Sequence, residues 1–282
     1  MRTIGRILAR HGLTHRRTGR YEAKGKRYPA LDAAHPGSVH QSDIVGPCYI
    51  GGPVRFYSLN TIDVATGRCS TEPVLRGKAA VLDALWATWL RLGLPRYLQV
   101  DNETAFWGSR RYPRAMGKLI RLCLPQGVEP CFIAFAEPWR NGVVEKFNHL
   151  WREKFLGRVP MEGEEDLVRE SLAFEQRHNR QYRYSKLNGR TPFEALAAAK
   201  EPLRFPAQER PPKWPLPKPE TGYYHVVQFI RSDARLNLFG ETFPMPPEVV
   251  YEYVWATVDV GRQRLCLYLD DAVIDEREYR LR

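Results

Sequence analysis

The spacing of apolar positions changes along the chain, and each change marks an element. Three short stretches rich in β-branched and aromatic residues, 39–46 (VHQSDIVG), 54–64 (VRFYSLNTIDV) and 68–75 (RCSTEPVL), predict strands joined by turns at GGP and ATGR. In KAAVLDALWATWLRLG, 78–93, apolar residues recur every three or four positions and Gly93 closes the run, which predicts an amphipathic helix with Trp86 and Trp89 in its core face. RYLQVD, 96–101, predicts a short buried strand, 112–124 a helix and 128–135 another strand. Helices follow over 141–156, 164–182 and 192–199. The order β-β-β-α-β-α-β-α-α-α implies a mixed α/β sheet with helices packed on its faces.

The two ends read differently. In TIGRILARHGL, 3–13, Ile4, Ile7 and Leu8 share one helical face, Arg6 and Arg10 lie on the other, Thr3 is placed to cap and Gly12 to terminate. This has the character of the last helix of a helix-turn-helix, so 1–30 is expected to be a partial unit of that kind followed by a basic arm. Residues 201–219 carry seven prolines, which predicts a stiff linker over 201–222. From 223 to 282 short alternating segments predict a small all-β barrel module. The stretch 31–200 remains as one α/β domain.

Composition narrows the class. A chain of 282 residues with 43% hydrophobic and 12% aromatic content is long and apolar enough to bury a core. No apolar run approaches the about 18 residues of a membrane span, and the basic N-terminus lacks a secretory apolar stretch, so a cytoplasmic, DNA-associated protein is expected. The five cysteines form no C-x-x-C pair and have no zinc-site spacing with the seven histidines; reduced thiols filling the core are expected.

Charge changes the picture further. The formal net charge is +11, and residues 1–27 hold nine Lys and Arg, including Arg6, Arg10, Arg16 and Arg17, against Glu22 alone. An arginine-rich block of this density suits phosphates and predicts a nucleic-acid partner; the blander alternative is a solvated basic tail.

The candidate chemistry lies in three carboxylates. Asp43 sits within an apolar strand and Asp101 at the end of another, and a buried aspartate is costly unless paired or bound to a cation. Taken singly, each is also compatible with a turn or a helix cap. For a third carboxylate, AEPWRNGVVEKFNHLW (136–151) offers Glu137 and Glu145, with 35 and 43 residues between them and Asp101. Glu137 precedes a proline and is expected in a loop. Glu145 falls on the first turn of a helix that Asn141 is placed to cap, beside the apolar face Val144, Phe147, Trp151 and Phe155. A rigid helix holds a ligand more firmly than a loop does, which favours Glu145; an ordinary helix-dipole glutamate is the alternative. Arg140, Lys146, His149 and Arg152 flank the same helix and are placed to meet phosphates, or to form a solvated face.

HQSDIVGP (40–47), VDN (100–102) and PWRNGVVEKFN (138–148), followed by NGRTPFEAL (188–196), together resemble the catalytic core of insertion-sequence transposases, in the superfamily of retroviral integrases with an Asp-Asp-Glu site. The resemblance covers about residues 1–200 and rests on three motifs in order. It implies a ribonuclease-H-like mixed five-stranded sheet with flanking helices. It places the family's catalytic and metal-binding residues on Asp43, Asp101 and Glu145. The family's usual spacing matches the shorter count to Glu137, but the P-x-x-N-G-x-x-E context selects Glu145, with a short extra stretch before it. Glu103 stands where many relatives have glycine.

The resemblance further implies two Mg2+ or Mn2+ ions, which suit oxygen-only ligands, and metal-dependent DNA cleavage with transfer of the released 3′-OH to target DNA. Element ends and target DNA would be the partners, a homo-oligomer would form on DNA, and the setting would be the bacterial cytoplasm. Two rivals remain: a nuclease of the same fold that does not join DNA, and a truncated, non-catalytic DNA-binding regulator.

Overall fold

Strand β1 (Val39–Ile50) organises the sheet, pairing antiparallel with β2 (Val54–Asp63) on one side and parallel with β4 (Tyr97–Val100) on the other. β3 (Cys69–Val74) extends the β2 edge antiparallel, and β5 (Glu129–Phe132) lies parallel to β4. The order β3-β2-β1-β4-β5, three antiparallel strands followed by two parallel additions, is the ribonuclease-H-like core that the resemblance implied. This computed structural model describes residues 10–11, 27–51, 54–75, 80–102, 106 and 114–282. The predicted N-terminal helix lies outside these residues except for Arg10 and His11, as do Arg6, Arg16, Arg17 and Glu103.

Helices cover both faces, which is why the first half of β1 and most of β4 and β5 are buried on both sides rather than alternating. On one face lie α1 (Ala80–Leu92), burying Leu82, Leu85, Trp86 and Trp89, and the short α2 (Lys118–Cys123). On the other lies α3 (Gly142–Trp151), whose Val144, Phe147 and Trp151 pack with Val45, Phe56 and Ile62 of the sheet. α3 runs into a single π-helical turn, Arg152–Leu156. α4 (Glu164–Gln181) is anchored to β3 by Asn179, which bonds both the amide and the carbonyl of Cys69 at 2.8 and 2.9 Å, and by Glu175, which accepts from the Thr71 amide at 3.2 Å and, from α1, from Arg91 Nε at 2.8 Å. α5 (Pro192–Ala198) opens on a capping box between Thr191 and Glu194. All five cysteines are free and buried, as expected.

The C-terminal part differs from the barrel that the sequence suggested. It is all-β, with β6 (Tyr223–Phe229), β9 (Tyr253–Asp259), β10 (Arg264–Leu269) and β11 (Ala272–Glu278), plus a hairpin of β7 (Arg235–Leu238) and β8 (Glu241–Pro244). But β6 pairs parallel with β5, through Cys131–His225 and Phe132–Val226, so the strands continue the core sheet in the order β11-β10-β9-β6-β5. Among the described residues these pairings do not close a barrel. Tyr224, Val254, Val258 and Leu267 join the same apolar cluster as Trp89, Leu98 and Leu119, and that shared burial favours docking over separation.

The proline-rich linker is correspondingly a strap rather than a free spacer. Leu94 N donates to Arg204 O at 2.7 Å, Trp86 Nε1 to Gln208 O at 3.3 Å, and Trp214 and Leu216 pack on the core. Gly93 ends α1 at φ +93°, where a Cβ would stand 2.9 Å from Arg204 O, so the close approach of the strap requires glycine there.

Candidate active site

The parallel pairing of β1 and β4 sets Val39 opposite Tyr97, His40 opposite Leu98 and Gln41 opposite Gln99. Carried two residues further, the same offset brings Asp43 level with Asp101, one residue past the end of β4. Alternation places residues two apart on one face of a strand. The face is identified by Gln41 and Gln99, which both reach the start of α3. Gln41 Oε1 accepts from the amides of Val143 and Val144 at 3.0 and 3.1 Å, and Gln99 Nε2 donates to Arg140 O at 2.9 Å. Gln41 thus satisfies amides that a helix start leaves open. Asn141, expected to cap the helix, does not do so. It is buried and points into the sheet, where its Nδ2 donates to Ser42 O at 3.1 Å.

Glu145 lies in the first turn of α3, half-buried, between buried Val144 and Asn148. Residues three apart lie on the same side of a helix, so Glu145 is the neighbour of Asn148 one turn earlier. Asn148 Nδ2 donates to Asp43 Oδ2 at 2.5 Å. Its Oδ1 accepts from Asn60 Nδ2 at 2.8 Å, and Asn60 Oδ1 accepts from Ser58 Oγ at 2.7 Å. This polar row fixes β1, β2 and α3 against one another. Burial pushes the Asp43 carboxyl above the usual aspartate range, an effect that the Ile44 amide, Asn148 and the positive charge of Arg152 partly offset.

A carboxylate held by amide donors suits a hard cation, and the oxygen-only set of Asp43, Asp101 and Glu145 suits magnesium or manganese in donor chemistry. Among the described residues, however, no three His, Cys, Asp or Glu side chains are gathered into a metal-holding group. The register runs from β1 towards Asp43 and from β4 towards Asp101, and Asn148 ties Asp43 to the helix that bears Glu145.

Glu137 has a different environment. Its carboxylate accepts from Arg140 Nε and from Tyr253 Oη, both at 2.8 Å, at the junction with the C-terminal strands. The Arg140 guanidinium, expected to meet phosphate, is held here: it donates to Tyr253 Oη at 2.8 Å and lies 4.1 and 4.9 Å from the ring centres of Tyr28 and Tyr253. Lys146, His149 and Arg152 are exposed along α3, and Arg10 is exposed. Beside Asn102 a cleft of about 480 Å³ opens between the ends of β5 and β6, lined by Phe135, Glu137, Gln228, Arg231 and Arg235. Arg231 and Arg235 are exposed and make no ion pair among the described residues.

Reasoning from sequence missed Gln41, Gln99, Asn60, Asn148 and Tyr253. A signal for the first two was present: both aspartates end the pattern Gln-x-Asp, in Gln41-Ser42-Asp43 and Gln99-Val100-Asp101. Two adjacent parallel strands carrying that pattern in register place both glutamines under one helix.

No protein-family model matches the chain, and no curated protein matches it. Among solved structures, the chain is similar to a chain of the simian T-cell lymphotropic virus intasome in complex with PP2A regulatory subunit B56 gamma, at 14% identity over 77% of this chain and 70% of that one, with a TM-score of 0.48. It is similar to the HTLV-2 integrase catalytic core domain in complex with magnesium, at 17% identity over 58% and 99% of the two chains, with a TM-score of 0.43. It is also similar to the catalytic core domain of BIV integrase, at 14% identity over 57% and 94%, with a TM-score of 0.42. These structural neighbours are retroviral integrase catalytic cores, and the likeness is one of fold.

Proposed function

We propose that the protein is a polynucleotidyl transferase of the transposase and integrase kind, which cleaves a DNA phosphodiester in a metal-dependent reaction and joins the resulting 3′-OH to target DNA. The observation that carries this reading is the register of β1 and β4, which sets Asp43 level with Asp101 beneath the helix that bears Glu145. Asp43, Asp101 and Glu145 would hold Mg2+ or Mn2+. Two such ions, when bound, activate an attacking oxygen and stabilise the leaving oxygen of an in-line displacement.

The chain's own residues supply positioning and charge. Gln41 and Gln99 fix the start of α3, and Asn148 orients the Asp43 carboxylate. Lys146, His149 and Arg152, exposed on the flank of α3, meet the phosphates on either side of the reacting one. The basic arm with Arg6, Arg10, Arg16 and Arg17 adds affinity for duplex DNA, and exposed Arg231 and Arg235 offer phosphate contacts beside a cleft that also carries Asp233 and Glu241. Joining two DNA ends calls for a multimer assembled on DNA. Among the described residues no helix is long and apolar enough to cross a membrane, and action on DNA in a bacterial cytoplasm fits the reading.

The rival readings are a nuclease of the same fold that does not join DNA and a DNA-binding regulator that does not cleave it. Labelled duplexes tiled across the DNA flanking the coding segment, incubated with Mg2+ or Mn2+, separate the possibilities. Joined products support the proposal, hydrolysis products alone support a nuclease, and binding without either supports a regulator.

A further inference from the structure

The cluster around Arg140 sits where three parts of the chain meet, and none of the chemistry above uses it. Glu137, Pro138, Trp139 and Arg140 form a tight turn closed by Arg140 N donating to Glu137 O at 3.0 Å. The same two residues are bridged again by their side chains at 2.8 Å. From the C-terminal strands, Tyr253 at the start of β9 donates to Glu137 and accepts from Arg140. From the segment just after the basic arm, Tyr28 covers the guanidinium at 4.1 Å, meets Tyr253 edge-on at 5.0 Å, and accepts from the Ala134 amide at 3.3 Å. The side chains of Arg140 and Glu137 are only 26% and 15% exposed, so the pair is largely withdrawn from water. Ala136, leading into the turn, has φ +61°, a left-handed conformation uncommon for alanine that its surroundings must hold in place.

The turn leads directly into α3. Arg140 O accepts from Gln99 of β4, and the next residue, Asn141, is bonded to Ser42 of β1. Any shift of Arg140 therefore moves the first turn of α3, where Glu145 lies, against the two strands that carry Asp43 and Asp101.

We propose that Arg140 is a positioning residue, clamped by Tyr253 and Tyr28, through which both DNA-binding flanks set the placement of Glu145 against Asp43 and Asp101. The inference rests on the metal-dependent reading of that site and names how it is regulated. Arg140 acts through α3 and touches no reacting atom. Glu145 is carried on the first turn that follows Arg140, so a small change in the pitch of α3 changes its placement against Asp43 and Asp101. DNA bound along the basic arm and the C-terminal strands acts on the two tyrosines, and the guanidinium passes the displacement to the helix.

Full-length wild type, Tyr253→Phe, Arg140→Gln and Asp43→Asn are compared by Mn2+ titration, followed by electron paramagnetic resonance. Duplex binding is measured alongside as a function of salt. Tyr253→Phe keeps the ring and removes only the hydroxyl, so the variant folds even if Arg140→Gln does not. The expected result is Mn2+ affinity about 10-fold weaker in Tyr253→Phe, the scale of losing a group that orients metal ligands. The slope of duplex affinity against salt stays unchanged in Arg140→Gln. Mn2+ uptake that is abolished by Asp43→Asn but unaltered in Tyr253→Phe overturns the clamp and leaves the catalytic reading standing. A salt slope reduced by about one in Arg140→Gln makes Arg140 a phosphate contact and also overturns it. A wild type that takes up no Mn2+ overturns both.

Discussion

Asn148 Nδ2 lies 2.5 Å from Asp43 Oδ2, joining the helix that carries one candidate ligand to the strand that carries another. Asn148 also accepts from Asn60, so Asn148→Ala strips a partner from buried Asn60 and from half-buried Asp43 at once. Each such loss costs about 1–3 kcal/mol. The expected outcome is a fall in unfolding free energy of about 2 kcal/mol or more in urea without metal, together with impaired activity. A variant as stable as the wild type contradicts the polar row.

Asp43 should behave oppositely. Burial raises its pKa in the folded state, so the folded protein favours the protonated carboxyl, and ionisation above that raised pKa costs folding free energy. Asp43→Asn removes the charge and the cost with it. The metal-free variant should therefore melt above the wild type at neutral pH, with the gap closing as pH falls through the raised pKa and gone below the pKa of an unfolded aspartate. Thermal melts in a chelator across this range measure it. Added Mn2+ should raise the wild-type melting temperature and leave that of Asp43→Asn unchanged.

His178 gives an acid-side prediction unconnected with the site. Its ring stacks on Tyr182 with centroids 4.9 Å apart and shares a hydrogen bond with Tyr184 Oη at 3.0 Å. Burial lowers its pKa to about 4, against the upward pull of the Gly67 backbone. A base whose folded pKa is lowered contributes stability above its unfolded value of about 6.5, and that stability is lost as pH falls towards about 4. The loss is about 3 kcal/mol across this window. Denaturation curves from pH 7 to 4 should be flatter for His178→Gln than for the wild type.

The sequence made the core sheet legible because its elements differ in period: β1 to β3 show no helical recurrence of apolar positions, while those of α1 recur every three or four residues. The candidate carboxylates were legible because charged residues inside apolar segments stand out. Other features depend on partners far away in the chain. Whether Asn141 caps its helix or points at Ser42 is decided by Gln41, 100 positions earlier, which takes over the amides. Arg140 reads as a basic residue beside a helix, and only Tyr28 and Tyr253 show it to be enclosed. The C-terminal strands alternate like a small independent module, and nothing local reveals that β6 finds an open edge at β5.

The most direct test of the account compares Glu145→Gln with Glu137→Gln in joining labelled duplex ends to a target with Mn2+ or Mg2+. Glu145 lies on the helix tied to Asp43, whereas both carboxylate oxygens of Glu137 are engaged by Tyr253. Joining should fall about 100-fold or more in Glu145→Gln, as for loss of a metal ligand. In Glu137→Gln it should persist at a reduced level, because the turn before α3 is loosened rather than removed. Joining that survives in Glu145→Gln and vanishes in Glu137→Gln would contradict the assignment of the third carboxylate and the account built on it.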